Sequence, residues 1–218
     1  MSINEIILRI KLKFGLKIVL SFILITMFAF FYLVPQLHPV FPIIVLKPGW
    51  IDRMIPFVPN AVYLYESLYL LMPVAPWLMR SKEELYRYSS GLILMSFVGF
   101  CFFFFLPTSN PRPVDVLDTN ILYRTLILLD SELNAFPSLH TAYALFHSAC
   151  CHVIFCKGSW HKLVRWIFWI WALLIMLSTL LTKQHVFIDV LSGALLGIGS
   201  FIVCCQPNII SWRRGKQI

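Results

Sequence analysis

Two short polar stretches lie beside long apolar runs, where polar side chains are costly. The first reads Phe-Pro-Ser-Leu-His over residues 136–140, and the second reads Lys-Gln-His-Val-Phe-Ile-Asp over residues 183–189. An ionisable side chain inside an apolar span usually marks a functional site, so Asp189 is expected to have a functional role. Histidine changes charge near neutral pH, and a serine before a helix caps amide groups that also attract anions. These residue types together favour phosphate chemistry.

The two stretches suggest a nucleophile, an orienting carboxylate and a proton donor. His185 and Asp189 are four residues apart, which predicts that both lie on one helix face and that the carboxylate orients the imidazole as a nucleophile. His140, about one turn into its helix, is expected to protonate the leaving oxygen. Positive charge and helix amides are expected to bind the phosphoryl oxygens. The residues assigned to that binding are Arg112, Ser138 and Lys183.

Each of these residues also has a simpler interpretation. Ser138 alone is an ordinary helix cap, His140 an interfacial histidine and Arg112 a solvated loop charge. Their coincidence at the ends of adjacent apolar runs favours a shared site. Glu66, inside another apolar run, has two open interpretations: it lines the substrate cavity, or it pairs with a buried donor for structural reasons.

Six apolar runs must position these residues. Only 13% of the 218 residues are charged, whereas soluble domains carry about a quarter. Each run is close to the ~20 residues that cross a bilayer as a helix, and helices satisfy their own backbone in lipid. The runs cover roughly residues 14–34, 58–79, 89–107, 138–156, 164–182 and 186–205. They predict an all-α protein with one domain over residues 1–218, built as a six-transmembrane-helix bundle.

The basic residues predict how this bundle is oriented. Thirteen of the eighteen Lys and Arg residues lie before span 1, between spans 2 and 3, between spans 4 and 5, or after span 6. The positive-inside rule then places both termini in the cytoplasm and both polar stretches at the outer face. The net charge of +8 is therefore an orientation signal, and no nucleic-acid partner is expected.

The sequence contains none of several common cofactor and catalytic motifs. It has no Gly-rich phosphate loop, no His-Glu-x-x-His motif and no Gly-x-Ser-x-Gly elbow, which are signatures of other catalytic sites. Its six cysteines show no zinc-site spacing. Neither a metal nor another cofactor is expected.

At these residues the chain resembles the type 2 phosphatidic acid phosphatase (PAP2) superfamily of membrane lipid phosphatases and phosphotransferases. The family motif Pro-Ser-Gly-His appears as Pro-Ser-Leu-His over residues 137–140. The motif Ser-Arg-x5-His-x3-Asp keeps Ser178, His185 and Asp189 at the family spacing. The motif-bearing part covers about residues 107–195, and six helices are the architecture that the resemblance implies.

The chain departs from the family pattern at three positions. The motif Lys-x6-Arg-Pro keeps only its final Arg-Pro pair, and Phe105 stands at its lysine position. Thr179 stands at the arginine of the third motif, and Leu139 replaces the glycine of the second. Lys183 is the expected substitute cation. The local forms Phe-Pro-Ser-Leu-His and Thr-Lys-Gln-His are most similar to the branch that contains inositol-phosphorylceramide synthase-like proteins.

The resemblance implies a metal-independent lipid phosphatase that acts through a phosphohistidine on His185. The expected substrate is a lipid phosphate monoester or diphosphate at the outer or periplasmic face. Two alternatives stay open: transfer of the phospho-head group to a hydroxyl acceptor, and a catalytically silent lipid-binding or scaffold protein. A bacterial inner membrane is the expected location, because the chain is compact and has no Asn-x-Ser/Thr acceptor.

Overall fold

The computed structural model describes residues 3–113, 120–155 and 160–205, and most of it is helical. Helices account for 74% of the structure, with few strands. The helices run in the order α1 Ile3–Lys11, α2 Phe14–Leu37, α3 Trp50–Met54, α4 Val62–Glu66, α5 Leu68–Leu71, α6 Val74–Leu78, α7 Lys82–Phe105, α8 Ile121–Leu129, α9 Leu139–Ile154, α10 Trp160–Leu181 and α11 Phe187–Cys204. Two short strands are β1 Ile44–Val45 and β2 Thr108–Ser109.

Four helices in the described part of the chain are long and apolar enough to cross a membrane. They are α2, α7, α10 from Lys162 onward, and α11, which correspond to predicted spans 1, 3, 5 and 6. This supports a helical membrane protein. Four of the basic residues behind the predicted orientation lie outside the described residues: Lys157, Arg213, Arg214 and Lys216.

Predicted spans 2 and 4 do not appear as helices of that length. The segment predicted as one helix over residues 58–79 consists of a 3-10 turn at Pro59–Ala61 followed by α4, α5 and α6. Proline lacks an amide donor and its ring crowds the preceding turn, so Pro73 and Pro76 account for the break between α5 and α6. Pro59 begins the 3-10 turn, and the break between α4 and α5 falls at Ser67. Predicted span 4 is α9, which has 16 residues.

The interrupted segment still presents one buried face at helical spacing. Six buried residues recur every three or four positions, with Ala61, Pro76 and Met79 buried beside them: Val62, Tyr65, Leu68, Leu71, Ala75 and Leu78. The α4 helix packs against α10, while α5 and α6 pack against α9. The kinked segment therefore keeps helical packing although its hydrogen bonding is broken, and it brings Tyr65 to the bundle interior.

Helix α9 is the centre of the bundle. Thirteen of its sixteen residues are buried, and α10 and α11 both pack along it while touching each other only slightly. The connection from α10 to α11 is short, but the two helices do not form a tight hairpin, because α9 separates them.

Two glycines let α11 approach the backbone of α9. A Cβ atom at Gly193 would collide with the carbonyl oxygen of Ser138, and one at Gly197 would collide with that of Ala142. Small residues allow such close approach between helices. As a result, the amide of Ser138 reaches the carbonyl oxygen of Asp189 at 3.0 Å, and the first turns of α9 and α11 lie side by side.

A small sheet ties together the loops at this end of the bundle. Strand β1 pairs in parallel with β2, and Ser109 forms an antiparallel bridge with Leu133. The amide of Ala135 also donates to the carbonyl oxygen of Thr108 at 3.3 Å. The sheet therefore fixes the chain on either side of it, including residues 110 and 135, beside the start of α11.

We predict that Gly193→Ala lowers the thermal unfolding midpoint of the detergent-purified chain. The added methyl group must push α11 away from α9, and overpacking of this kind costs about 1–3 kcal/mol. Gly199→Ala is the matched control, because a Cβ atom there meets nothing within 4 Å. The control should be neutral or stabilising by about 0.5–1 kcal/mol. Equal effects of the two changes would contradict the close approach.

Candidate active site

His185 lies in the turn before α11, not on the helix. The helix begins at Phe187, with Val186 as its N-cap. The prediction that His185 and Asp189 share one helix face is therefore wrong. The two side chains nevertheless meet, because Nδ1 of His185 lies 3.5 Å from Oδ2 of Asp189. The turn before the helix achieves the proximity that helical spacing was expected to provide.

A backbone carbonyl sets the tautomer of His185. Its Nδ1 lies 3.0 Å from the carbonyl oxygen of Ala135, which can only accept a hydrogen bond. Nδ1 therefore carries the hydrogen, and in the neutral ring Nε2 keeps its lone pair. The ring also lines a cavity of about 340 Å³. This arrangement suits a nucleophilic Nε2.

Asp189 is completely buried and its carboxylate is held by donors from two segments. Its Oδ2 accepts hydrogen bonds from Nδ2 of Asn110 at 2.7 Å and from the amide of Val186 at 3.0 Å. The second bond belongs to the first turn of α11. A negative charge fixed near Nδ1 stabilises the positive charge that the His185 ring gains when Nε2 forms a bond.

Asn110 is a site residue that sequence reasoning missed. It is 2% exposed, and besides Asp189 its Nδ2 reaches the carbonyl oxygen of Gln184 at 3.2 Å. It thus holds both the carboxylate and the turn that carries His185. Its position two residues before Arg112, in a proline-rich segment, was the available signal.

His140 occupies the first turn of α9 and faces His185. The two ring centroids are 6.4 Å apart. On its other side His140 stacks on Tyr65, with ring centroids 4.0 Å apart and planes inclined by 21°. The Tyr65 hydroxyl lies 3.2 Å from Nδ1, whereas Nε2 is buried and has no hydrogen-bond partner within the described residues.

Tyr65 was also missed, although it directly precedes Glu66. A tyrosine hydroxyl can donate to Nδ1, and in the neutral ring the hydrogen then resides on Nε2. When the ring is protonated on both nitrogens, Nδ1–H instead donates to the Tyr65 oxygen, and Nε2–H, which has no partner among the described residues, is the proton that can be transferred. Tyr65 is therefore a candidate positioning residue for the acid.

Ser138 caps α9 as predicted. Its Oγ accepts a hydrogen bond from the amide of Thr141 at 3.3 Å and donates to Oγ1 of the same residue at 3.2 Å. The side chain is completely buried. The cap fixes where α9 begins and so places His140 in the first turn. Contact between Ser138 and a phosphate stays a prediction.

The two predicted cations are engaged by the fold. The guanidinium of Arg112 donates to the carbonyl oxygens of Asp130 and Ser131, both at 2.7 Å, and to Oδ2 of Asp130 at 3.3 Å. Nζ of Lys183 donates to the carbonyl oxygens of Asp52 and Ile55 at 2.9 and 2.6 Å. Lys183 shares the cavity with His185, and one of its three N–H donors is not used by these carbonyls.

Glu66 is half-buried at the end of α4. Within the described ranges its carboxylate accepts no hydrogen bond, so the alternative of a buried structural pairing receives no support. A role in lining the substrate cavity stays a prediction.

Helix α8 steadies the turn that carries His185. The Tyr123 hydroxyl donates to the carbonyl oxygen of Thr182 at 3.0 Å. Burial raises the pKa of Tyr123, so the hydroxyl keeps its proton at neutral pH and remains a donor. Asn120 caps this helix by accepting a hydrogen bond from the amide of Tyr123 at 2.8 Å.

Across residues 3–113, 120–155 and 160–205, no group of three or more His, Cys, Asp or Glu side chains is arranged to hold a metal ion.

The fold and site define a helical membrane protein with two facing imidazoles and a buried carboxylate. The sequence model of the PAP2 superfamily matches residues 40–203, which include every candidate residue named above. The chain belongs to this superfamily, and membership suggests phosphatase or phosphotransferase activity. Comparison with curated proteins and with solved structures found no match.

Proposed function

We propose that the chain is an integral membrane lipid phosphatase that hydrolyses a lipid phosphate monoester or diphosphate through a phosphohistidine. The observation that supports this most directly is the pair of imidazoles 6.4 Å apart. His185 has its Nδ1 hydrogen committed to a carbonyl, and Nε2 of His140 has no partner in the described part of the chain. One ring is thus prepared to attack phosphorus and the other to deliver a proton.

The proposed reaction has two displacements. Nε2 of His185 attacks phosphorus while the bond to the lipid oxygen breaks, and the protonated ring of His140 gives its Nε2 proton to that oxygen and becomes neutral. Asp189 stabilises the positive charge of the phosphorylated ring. Water then attacks the phosphohistidine, His140 accepts its proton, and phosphate leaves with both histidines restored.

Arg112, Ser138 and Lys183 are proposed to bind the phosphoryl oxygens. Lys183 has the most direct support, because it lines the cavity with His185 and keeps one N–H donor. Ser138 supports the amide groups of the first turn of α9, which suit an anion. Glu66 is proposed to line the substrate cavity beside Tyr65.

The protein is proposed to be one domain with six crossings, both termini in the cytoplasm and the site at the outer, periplasmic face of a bacterial inner membrane. The α4–α6 segment and α9 would supply the two remaining crossings. Sixteen residues of α9 span about 24 Å, so α9 would need its flanking residues to cross. Labelling of tags on the two termini from either side of the membrane tests the orientation.

The alternative function is transfer of the phospho-head group to a hydroxyl acceptor. The similarity of the motif forms to the inositol-phosphorylceramide synthase-like branch favours it. The same two histidines serve either reaction, because the acceptor hydroxyl would occupy the place of the attacking water.

A panel of lipid phosphates and diphosphates, assayed with and without hydroxyl acceptors, separates these functions. We expect free phosphate without any acceptor, as hydrolysis requires. Turnover that depends strictly on an acceptor would instead support the transferase. No turnover with any lipid would support the silent lipid-binding alternative.

We predict that His185→Ala lowers phosphate release by about three orders of magnitude or more, as loss of a nucleophile does. His38→Ala is the control, because His38 is an exposed histidine at the end of α2. Phosphate release by the control should match the unmodified chain. Retained activity in purified His185→Ala would exclude the phosphohistidine.

We predict that Tyr65→Phe lowers kcat about tenfold and changes KM little, because the stacked ring stays while the hydroxyl that holds Nδ1 of His140 and so orients its Nε2–H is lost. The pH profile of kcat should also change on the limb governed by the acid. Tyr69→Phe is the control, since Tyr69 meets His140 only edge-on, with centroids 6.4 Å apart. An unchanged pH profile in Tyr65→Phe would argue against the positioning role.

A further inference from the structure

The cavity beside His185 contains a cation that no motif assigns. This cavity of about 340 Å³ lies between α3 and the turn before α11, and its polar lining includes Asp52, Arg53, Asn110, Lys183 and His185. His140 approaches the His185 ring from α9, whereas the cavity reaches it from the side of α3. A group in the cavity therefore meets a substrate at His185 from a different direction than the acid.

The three cations near the site differ in how many of their N–H donors already form hydrogen bonds within the protein. Arg112 is bound to Asp130 and Ser131, and Lys183 is bound to two carbonyl oxygens. The guanidinium of Arg53, by contrast, forms no hydrogen bond or ion pair with any residue that the structure describes. All five of its N–H donors are available to a ligand.

The segment that carries Arg53 is anchored to the catalytic turn. Oδ1 of Asp52 accepts a hydrogen bond from the amide of Phe187 at 2.7 Å, and Oδ2 accepts one from the amide of Gly49 at 2.8 Å. Lys183 fastens the other end of α3 through the carbonyl oxygens of Asp52 and Ile55. Arg53 is thus an exposed side chain on a backbone fixed against residues 183–187.

The neighbouring carboxylate does not neutralise Arg53. Both oxygens of Asp52 are directed to backbone amides, and no salt bridge joins Asp52 to Arg53 in the described ranges. The positive charge of Arg53 is therefore available in the cavity, next to a histidine suited to attack phosphorus.

We infer that Arg53 binds the phosphoryl group of the substrate at His185. The ligand class is a phosphate monoester dianion or the terminal phosphate of a diphosphate, and this assignment rests on the proposed function. In-line displacement spreads charge over the three equatorial oxygens, which lie across the axis of attack. A guanidinium reaching that axis from the side can bind two of them through its planar fork.

This assignment offers a replacement for the family cations that the chain lacks. Phe105 and Thr179 stand where the family has a lysine and an arginine. Arg53 supplies a positive charge from α3, in the segment between α2 and α4. Lys183 then acts as a positioning residue that holds α3, in addition to any contact of its own with phosphate.

The test measures binding of inorganic phosphate to the full chain in detergent. Phosphate is titrated at constant ionic strength, and the dissociation constant is obtained from the shift in thermal unfolding midpoint. The variants are Arg53→Ala, Arg53→Lys and Lys47→Ala. Lys47 is the matched control, because it is an exposed cation of the same segment between α2 and α4 and is not among the residues that line the cavity.

We expect Arg53→Ala to raise the dissociation constant about tenfold, because a bidentate charged contact is lost. The dissociation constant of Arg53→Lys should lie between those of the unmodified chain and Arg53→Ala, since lysine keeps the positive charge but lacks the planar fork of donors. Lys47→Ala should match the unmodified chain, and all variants should unfold at similar temperatures without phosphate. No stabilisation of the unmodified chain by phosphate, or equal weakening in Arg53→Ala and Lys47→Ala, would overturn the assignment.

Lipid assays separate this inference from the proposed function. If phosphate binding depends on Arg53 but the unmodified chain turns over no lipid phosphate, the binding site stands and the proposed phosphatase is wrong. If the unmodified chain hydrolyses lipid phosphate and Arg53→Ala leaves KM and kcat unchanged, the phosphatase stands and the role of Arg53 is wrong.

Discussion

The buried carboxylate of Asp189 is the constraint on which the site depends. A carboxylate without solvent contact is stable only when donors replace the lost water. Asn110 and the amide of Val186 supply donors to Oδ2, while Oδ1 has no partner among the described residues. The carbonyl oxygen of Asp189 accepts from the amide of Ser138. The segment after α7 and the first turns of α9 and α11 must therefore meet here. This arrangement places His185 beside the carboxylate of Asp189 and opposite the ring of His140.

The rest of the bundle allows the segment after α7 and the first turns of α9 and α11 to lie close together. Gly193 removes the side chain that would separate α11 from α9, so their backbones come close enough to share a hydrogen bond. The sheet of β1 and β2 holds Asn110 on one side and Ala135 on the other. Both residues then contact the turn that carries His185. The long helices thus bring the segments of the site together, while short extended segments set the orientation of its groups.

The fold uses Arg112 and Lys183 in structural contacts, whereas the guanidinium of Arg53 has no partner among the residues that the structure describes. Arg112 closes the loop around Asp130, and Lys183 joins the turn before α11 to α3. Such contacts hold the loops at this end of the bundle, but they also use N–H donors that a bound anion would need. Phe105 and Thr179 stand at the two positions where the family motifs have a lysine and an arginine, so under the proposed function the charge that binds phosphate comes from other segments.

The sequence by itself determined the helical membrane character, the start of α9 at Ser138 and the identity of the two histidines and the carboxylate, because apolar length and capping are local properties. Tertiary structure alone decided that His185 precedes α11, since Val186 has no capping side chain to signal a helix start. It also decided the carbonyl partner of His185, because a backbone oxygen has no sequence signature. Tyr65 and Arg53 reach the site from distant segments through packing, which no local spacing encodes.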